Sequence, residues 1–586
     1  MSKNKVFSLA GTFPRPDFRR ENWFDLNGKW EFDFDDKNVG EKNRWYEGHE
    51  YATSICVPFC YQSKLSGVHD LSYHPFVWYR RSFDIDKCAT KTTLLHFGAV
   101  DYHAKVWVNQ QYVGEHFGGH TSFFFDISNY VVEGTNEIVI RVADTDSCEQ
   151  PRGKQIWNVP PERCWYTETT GIWQTVWIEQ TEGSYIHNIK ITPDVDQRSV
   201  QIAVDWKNGT RGDKLICKVW KNDQLVASGE RGSYDDHTEI VFKIEETDPV
   251  EEFHYWSPEN PNLYDVELEL LDKYGNKQDV VQSYFGMRKI SIANGHVLLN
   301  NKPYYQKLIL DQGYWPDGLL TPPSSDCFRN DLELVKAMGF NGVRKHQKIE
   351  DPRFYYWADV LGVLVWEEMP SCYRFSDRAI QNTVREWTEV LNRDYNHPSV
   401  ITWVVLNESW GVRDIYNSKM QQDYAMALYY MTKAFDQTRL VSINDGWEQL
   451  EQSDISSVHD YKVTGADLRS KYSDIRNLLK KDAQGRELYC KNHSWANQPI
   501  ILSEFGGLAT LSNYRHGWGY NNRAISCEEL AVRYEELICA IRDTKAICGF
   551  CYTQLTDVMQ EVNGLLDQNH VPKLDVDIIC KINGAI

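Results

Sequence analysis

Between residues 286 and 586 one pattern recurs eight times: a short apolar run that ends in polar residues, followed by a stretch with helical spacing. The runs are KLILDQG (307–313), NGVRKH (341–346), VLVWEE (363–368), SVITWVVLNE (399–408), RLVSINDG (439–446), ISSVHDY (455–461), PIILSEFG (499–506) and AICGFCYTQL (546–555). Continuous apolar runs of this length read as strands covered on both faces, as in a parallel sheet. Between them, DCFRNDLELVKAMGF (326–340) puts Leu332, Val335 and Met338 on one helical face, with Gly339 as a stop. Asp351-Pro352 supplies a cap and a first turn, and Ser526-Cys-Glu-Glu529 is a capping box opening a helix through Ile541. Eight strands alternating with helices predict a (β/α)8 TIM barrel over 286–586.

A chain of 586 residues is too long for one core, and upstream of the barrel the period falls to two. FVWYRRSFDI (76–85), AKVWVNQQYVG (104–114) and NEIVIRVAD (136–144) are short strands between polar or glycine turns, which predicts a β jelly roll over 1–180. Residues 181–285 carry about seven further strands, with hairpin signals at Asn208-Gly209 and Tyr274-Gly275-Asn276. That spacing fits an immunoglobulin-like β-sandwich without its disulfide.

Composition removes several functional classes. A net charge of -20 opposes nonspecific nucleic-acid binding, which needs a basic footprint. No apolar run is long enough to span a bilayer, so no membrane partner is expected. The first residues, MSKNKVFSLAGTFPRP, have no apolar core of a signal peptide, and the 14 cysteines show no CxxC pair. Reduced thiols and a cytoplasmic location are the expectation, and a homo-oligomer is compatible with it. The 21 Trp, 33 Tyr and 24 Phe provide flat apolar faces that suit sugar rings.

In a barrel, the C-terminal ends of all strands line one cavity. Polar residues end several strands here: Arg344 with His346, Glu367 with Glu368, Asn407 with Glu408, Asn444 with Asp445, His459 with Tyr461, Glu504, and Tyr552 with Gln554. A solvated rim accounts for some of these. Glu408 and Glu504 are the sharpest pair, because their strands are so apolar and would face each other across the mouth. Two carboxylates flanking a glycosidic bond suffice for hydrolysis, one as proton donor and one as nucleophile or base. A separation of about 5–5.5 Å implies retention and about 6.5–9.5 Å inversion, a choice that spacing along the chain leaves open.

The whole chain resembles glycoside hydrolase family 2, the family of β-galactosidases, β-glucuronidases and β-mannosidases. GFNGVRKHQKIEDPRFYYWADVLGVLVWEEMP (339–370), NHPSVITWVVLNESW (396–410) and PIILSEFGG (499–507) carry the resemblance. It implies a retaining exo-glycosidase with Glu408 as acid/base and Glu504 as nucleophile. It also implies Asn407 on the sugar 2-hydroxyl, Arg344 beside the nucleophile and Tyr461 hydrogen-bonded to it. His346 and Asp311 are expected on sugar hydroxyls, although Lys345-His346-Gln347 replaces the family's His-Tyr-Pro. Trp447, Trp410 and Trp518 are candidate stacking platforms, and Tyr552 stands where relatives carry a pocket tryptophan. PRGKQ (151–155) and Trp165-Tyr166 are candidates to reach the pocket from the first domain. Retaining hydrolysis needs no cofactor, and Glu367 with Glu368 is too weak a cluster to predict a metal. The substrate is expected to be a glycoside or oligosaccharide. Relatives acting on β-glucuronides hold the sugar carboxylate with an Asn-x-Lys pair. Here Asn563 has no such lysine, with Lys573 the nearest, so a β-D-galactoside is the first expectation. A β-glucuronide and an α-L-arabinoside are the alternatives. The reading from another class is a noncatalytic carbohydrate-binding protein.

Overall fold

The computed structural model describes residues 13–585 except 88–90, 158–160, 233–235, 246–252, 475–478, 480, 482–484, 512–516 and 522–523. Alternation along the early strands builds the first layer pair. A six-stranded sheet centred on Phe76–Ile85 and Gly134–Ala143 faces a four-stranded sheet containing Val176–Thr181 and Thr92–Phe97. Their inner residues, among them Phe32, Val77, Tyr79, Leu95, Phe97, Ile138, Ile140 and Ile178, form one core. The pairs are antiparallel, as a jelly roll requires.

The second unit is a sandwich of a three-stranded and a four-stranded antiparallel sheet. Val200, Ile202, Val204 and Trp206 alternate inward along Ser199–Lys207 and meet Leu215, Cys217 and Val219 from Lys214–Lys221. Period-two patterning alone places these faces.

The barrel strands are β1 (Gln306–Asp311), β2 (Gly342–Lys345), β3 (Leu364–Glu368), β4 (Val400–Val404), β5 (Leu440–Ser442), β6 (Ser456–Asp460), β7 (Ile500–Gly506) and β8 (Ile547–Thr553). They are parallel, in the hydrogen-bonded order β5-β4-β3-β2-β1-β8-β7-β6. Side-chain bonds help to link β5 to β6, as where the Gly446 N–H donates to Ser457 Oγ at 3.1 Å. The caps work as the sequence implies. Asp351 accepts from the Arg353 N–H at 2.9 Å, and Ser526 accepts from the Glu529 N–H at 3.2 Å. The expected triple architecture of jelly roll, immunoglobulin-like sandwich and TIM barrel is therefore the observed one.

Two buried arginines tie the units together. Arg20 donates to Asp279 of the sandwich at 2.8 Å and to Glu179 of the jelly roll at 2.5 Å. Arg288, just before the barrel, donates to the carbonyls of Pro398, Thr438 and Val400 at 3.0, 3.1 and 3.0 Å. The loop at 151–155 docks on the barrel, with the Arg152 N–H donating to the Ser371 carbonyl at 3.0 Å. Removing Arg20 would leave Glu179 and Asp279, 5% and 6% exposed, without their shared cation. Arg20→Met should therefore cost about 3–5 kcal/mol, measured as a lower midpoint of the first transition in urea. An unchanged midpoint would show that this joint carries no stability.

Candidate active site

Inside the barrel, alternation decides which side chains meet. Leu308, Leu310, Leu364, Trp366, Ile401, Ile501 and Cys551 share the interior cluster. Ile309, Val343, Val365, Leu502, Phe550 and Tyr552 belong to the cluster between strands and helices. Arg344 and Glu368 keep the inward parity. On β7, strict alternation from Ile501 would aim Glu504 at the helices. A register irregularity between Leu502 and Phe505 turns it inward instead. Past β4, Glu408 has φ 52 and Ser409 φ 56, a left-handed turn without glycine. Its backbone is held by the Glu408 N–H donating to the Asp445 carbonyl at 2.9 Å. Such local strain persists only where surroundings enforce it.

Arg344 is the hub. It is fully buried and donates to Glu368 Oε2 at 2.8 Å, Glu504 Oε1 at 2.9 Å and Asn407 Oδ1 at 2.9 Å, with Asp445 Oδ1 at 3.2 Å. Because Arg only donates, Asn407 must present its oxygen there and its amide group to His346 Nε2, 3.2 Å away. His346 then carries its proton on Nδ1 and donates it to Gln312 Oε1 at 3.1 Å. Burial, with Lys154, Arg344 and His459 nearby, holds the His346 pKa well below the usual value, in keeping with this neutral form.

Glu504 Oε2 accepts from the Tyr461 hydroxyl at 2.5 Å. Glu408 Oε1 lies 2.9 Å from His459 Nδ1, and His459 Nε2 lies 2.8 Å from Asp445 Oδ1. One oxygen each of Glu408 and Glu504 and a nitrogen of His459 lie within 4.8 Å of one another. That trio has donor atoms a cation could use. Both imidazole nitrogens, however, face carboxylate oxygens, so the ring as arranged donates on both sides and offers no lone pair. Burial alone would lower the His459 pKa, but Glu504, Asp445 and Glu408 outweigh it and raise it to about 10. Burial would raise Glu408, but the hydrogen bond and charge of His459, with Lys154, hold it below the usual carboxylate range. Glu368 goes the other way. Burial, which Arg344 only partly offsets, pushes it up to about 8, and its Oε1 has no hydrogen-bond partner. One guanidinium cannot neutralise three carboxylates, and Glu368 has the fewest other partners.

The rest of the wall is aromatic and comes from two domains. Tyr461 stacks on Tyr520 at 3.5 Å, and Trp518 tilts against Tyr520 at 4.7 Å. Trp410 donates to Glu408 Oε2 at 3.3 Å and meets Trp165 of the jelly roll edge-on at 5.1 Å. Trp447 lies T-shaped to His459 at 5.5 Å. Lys154, on the docked loop, is buried, sits 5.6 Å from the Trp165 ring and forms no ion pair among the described residues. Burial would lower its pKa, yet Cys164, Tyr373, Glu561 and Glu408 raise it, so it is charged. Tyr166 donates to Glu561 Oε2, whose other oxygen accepts from Asn563 Nδ2 at 3.0 Å.

Three expectations need correction. Tyr552 points away from the cavity, packing at 5.0 Å on Tyr534 of the helix Cys527–Arg542, so no pocket role remains for it. Its neighbour Thr553 faces inward, 3.4 Å from the Tyr461 hydroxyl. Asp311 is consumed by Lys345 Nζ at 2.6 Å and the Gly313 N–H at 2.8 Å, and Gln312 contacts His346 in its place. Glu367 and Glu368 lie on opposite faces of β3, so they form no cluster: Glu367 faces Asp394 and Arg393 on the helix side. Asp445 and His459 were recognised only as rim residues, since nothing in their spacing marks them as partners of Glu408. Lys573 is also occupied, by Asp557 at 2.6 Å and Thr510 at 2.8 Å.

Comparison with known proteins covers most of the chain. Family models described as glycosyl hydrolases family 2, sugar binding domain, glycosyl hydrolases family 2, and glycosyl hydrolases family 2, TIM barrel domain, match residues 24–160, 184–288 and 290–516. A β-galactosidase of Thermoanaerobacter pseudethanolicus is 28% identical over 423 residues, 67% of this chain and 51% of the relative. A β-glucuronidase of Paenibacillus borealis is 26% identical over 435 residues, 69% of this chain and 70% of the relative. The chain spans about half the length of most of the curated relatives it matches. Among solved structures, a β-glucuronidase from an uncultured Clostridium superposes with TM-score 0.78 at 19% identity, covering 97% of this chain and 99% of the other. A β-galacturonidase from Eisenbergiella tayi superposes with TM-score 0.76 at 19% identity, covering 98% of each. These two likenesses show the fold.

The Glu368 shift has a thermodynamic consequence. A carboxyl whose folded pKa lies above its unfolded one binds a proton more tightly when folded, so it favours folding at low pH. That contribution is lost as pH rises from the ordinary carboxylate range to about 8. Relative to Glu368→Gln, the wild-type melting temperature should fall over that window and then level off. Parallel pH curves for the two proteins would place the proton elsewhere.

Proposed function

Because the chain belongs to glycosyl hydrolases family 2, we propose that it is a retaining exo-glycosidase that releases a terminal β-linked uronic acid. The observation that carries the chemistry is the pair Glu408 and Glu504, with carboxylate oxygens within 4.8 Å. That spacing suits direct attack and leaves too little room for the intervening water of an inverting enzyme. In this reading Glu504, held by Arg344 and Tyr461, attacks C1. Glu408 protonates the departing oxygen and then deprotonates the water that releases the sugar. The free N–H of Asn407 meets the 2-hydroxyl, a bond that strengthens as the ring flattens. The Tyr166–Glu561 contact and Lys154 close one side of the site, which supports release of a terminal residue.

Two observations support a uronide over the β-D-galactoside first expected. The solved structures of similar fold are named as a β-glucuronidase and a β-galacturonidase. Lys154 also places a buried cation beside the site with no carboxylate of its own. A β-D-galactoside is the second reading, favoured by the occupied Lys573 and by the relative from Thermoanaerobacter pseudethanolicus.

A panel of 4-nitrophenyl β-D-glucuronide, β-D-galacturonide, β-D-galactoside, β-D-mannoside and α-L-arabinoside tests this. The uronides should be the best substrates, and Glu504→Ala should abolish turnover without loss of fold. Lys154→Met should raise KM for the uronide much more than for a neutral sugar, on which only its effect on Glu408 remains. A slow rate on every sugar, unchanged in Glu504→Ala, would sink the enzymatic reading, and preference for the galactoside would select the second one. Within the site, Tyr461→Phe removes a hydrogen bond to a charged group, worth about 1.5–3 kcal/mol, so kcat should drop roughly 10- to 150-fold. Tyr552→Phe, which deletes an unpartnered hydroxyl outside the cavity, should change it less than about twofold by comparison with ordinary substitutions remote from a site.

A further inference from the structure

His459 is the one group here whose geometry the double displacement does not explain. Its two nitrogens meet Glu408 at 2.9 Å and Asp445 at 2.8 Å, and Nε2 is also 3.4 Å from Glu504 Oε1. An imidazole between acceptor-only carboxylates must carry two protons, or one of the carboxylates must carry one. Along the Nδ1 contact, therefore, a single proton sits on His459 or on Glu408. The acid step requires it on Glu408, while the unliganded site holds Glu408 ionised. Asp445 fixes the ring from the other side, and it accepts in turn from Arg344. Gly446 leaves room for the ring, since a Cβ there would stand 2.7 Å from Nδ1.

We propose that His459 is the positioning residue that holds the acid/base proton for Glu408, the two groups sharing it across their hydrogen bond. This rests on the reading of Glu408 as acid/base. In the first displacement the Nδ1 proton passes to Glu408 and on to the glycosidic oxygen as the C1–O bond breaks. The leaving group departs as an alcohol, Glu504 is bonded to C1, and His459 is neutral with Nε2–H still on Asp445. In the second, water attacks C1 and the Glu504 bond breaks. The water's proton goes to Glu408 and back to Nδ1, so the pair ends as it began. Asp445 and Glu504 favour the charged ring. His346, just past β2, also faces it, while Arg344 of β2 acts on Asp445 and Lys154 of the jelly-roll loop acts on Glu408. The arrangement keeps a proton at hand well above the pH at which a lone carboxyl would lose it.

The test compares His459→Asn, which retains an N–H toward Glu408 but no titrating proton, with Glu408→Ala and wild type. Each is assayed on two glycosides of the preferred sugar: a 2,4-dinitrophenyl glycoside, whose departure needs no acid, and a methyl glycoside, whose departure does. His459→Asn should lose roughly 100-fold in kcat on the methyl glycoside, the scale of a general acid's contribution, and little on the activated one. Its kcat/KM profile should lose activity on the basic side at a pH lower by at least about one unit, because the proton then rests on a carboxyl alone and no longer on the imidazole. Equal loss on both substrates, or an unmoved basic limb, would make His459 merely structural and overturn the proposal. If Glu408→Ala itself shows no dependence on the leaving group, the acid/base reading fails instead. Imidazole nitrogen NMR of the wild-type enzyme gives a readout independent of any variant. Both His459 nitrogens should be protonated at pH 7, and a single protonated nitrogen would overturn the proposal.

Discussion

The site is organised around one buried guanidinium. Arg344 reaches from β2 to Glu368 on β3, to Asn407 and Asp445 beyond β4 and β5, and to Glu504 on β7. A buried carboxylate without a partner would either take a proton or unfold its surroundings. Arg344 lets Glu504 and Asp445 remain inside the barrel, and its rigid donor fork sets where each of them stands. Lysine at this position would supply the charge without the geometry. Asn407 and His346 inherit their orientations from the same fork, since the direction of the Asn407 amide follows from which of its atoms can accept from Arg344.

The legibility of this site in the sequence depended on strand parity. Apolar runs that stop at Asn407-Glu408 and at Glu504 were visible, because burying a carboxylate at the end of such a strand calls for a reason. Resemblance to a family then separated their roles. Parity beyond the last apolar residue was not visible. Tyr552 reads as a rim aromatic, yet alternation from Phe550 onward sends it to the helices and leaves Thr553 inside. Glu504 faces the cavity only because β7 breaks its alternation, and no residue in LSEFGG announces that irregularity. Asp311 is adjacent to the residue that does reach His346, Gln312, and Lys345 outside the barrel claims it first. One-residue offsets of this kind reverse every inward assignment in a strand.

The jelly roll is more than a neighbour. Its segment 151–155 docks through backbone bonds to Ser371 and brings Lys154 to the barrel mouth, where Trp165 and Tyr166 also reach. These contacts join elements roughly 400 residues apart in some cases, as in Tyr166 with Glu561 (|i−j| = 395). PRGKQ (151–155) and Trp165-Tyr166 are readable as candidates for the pocket, but no local pattern names the partners they meet there. They make the candidate site a product of two domains, so the barrel alone would present an incomplete pocket.

Charge balance in the site bears on the uronide proposed for it. Five carboxylates surround it (Glu368, Glu408, Asp445, Glu504 and Glu561) against the cations Arg344, His459 and Lys154. With every acid ionised, the excess of negative charge would repel a uronate. Burial changes that balance: Glu368 is pushed up to about 8 and favours its neutral form, and Glu561 is raised above its ordinary value as well. With Glu368 protonated, four anions face three cations. Lys154, the one of these cations without a direct carboxylate contact among the described residues, would in the proposed reading attract an incoming carboxylate. In the uronide reading proposed above, a neutral sugar would gain nothing from that arrangement, whereas a uronate would gain both a cation that pairs with no carboxylate among the described residues and an acid, Glu368, that burial has silenced.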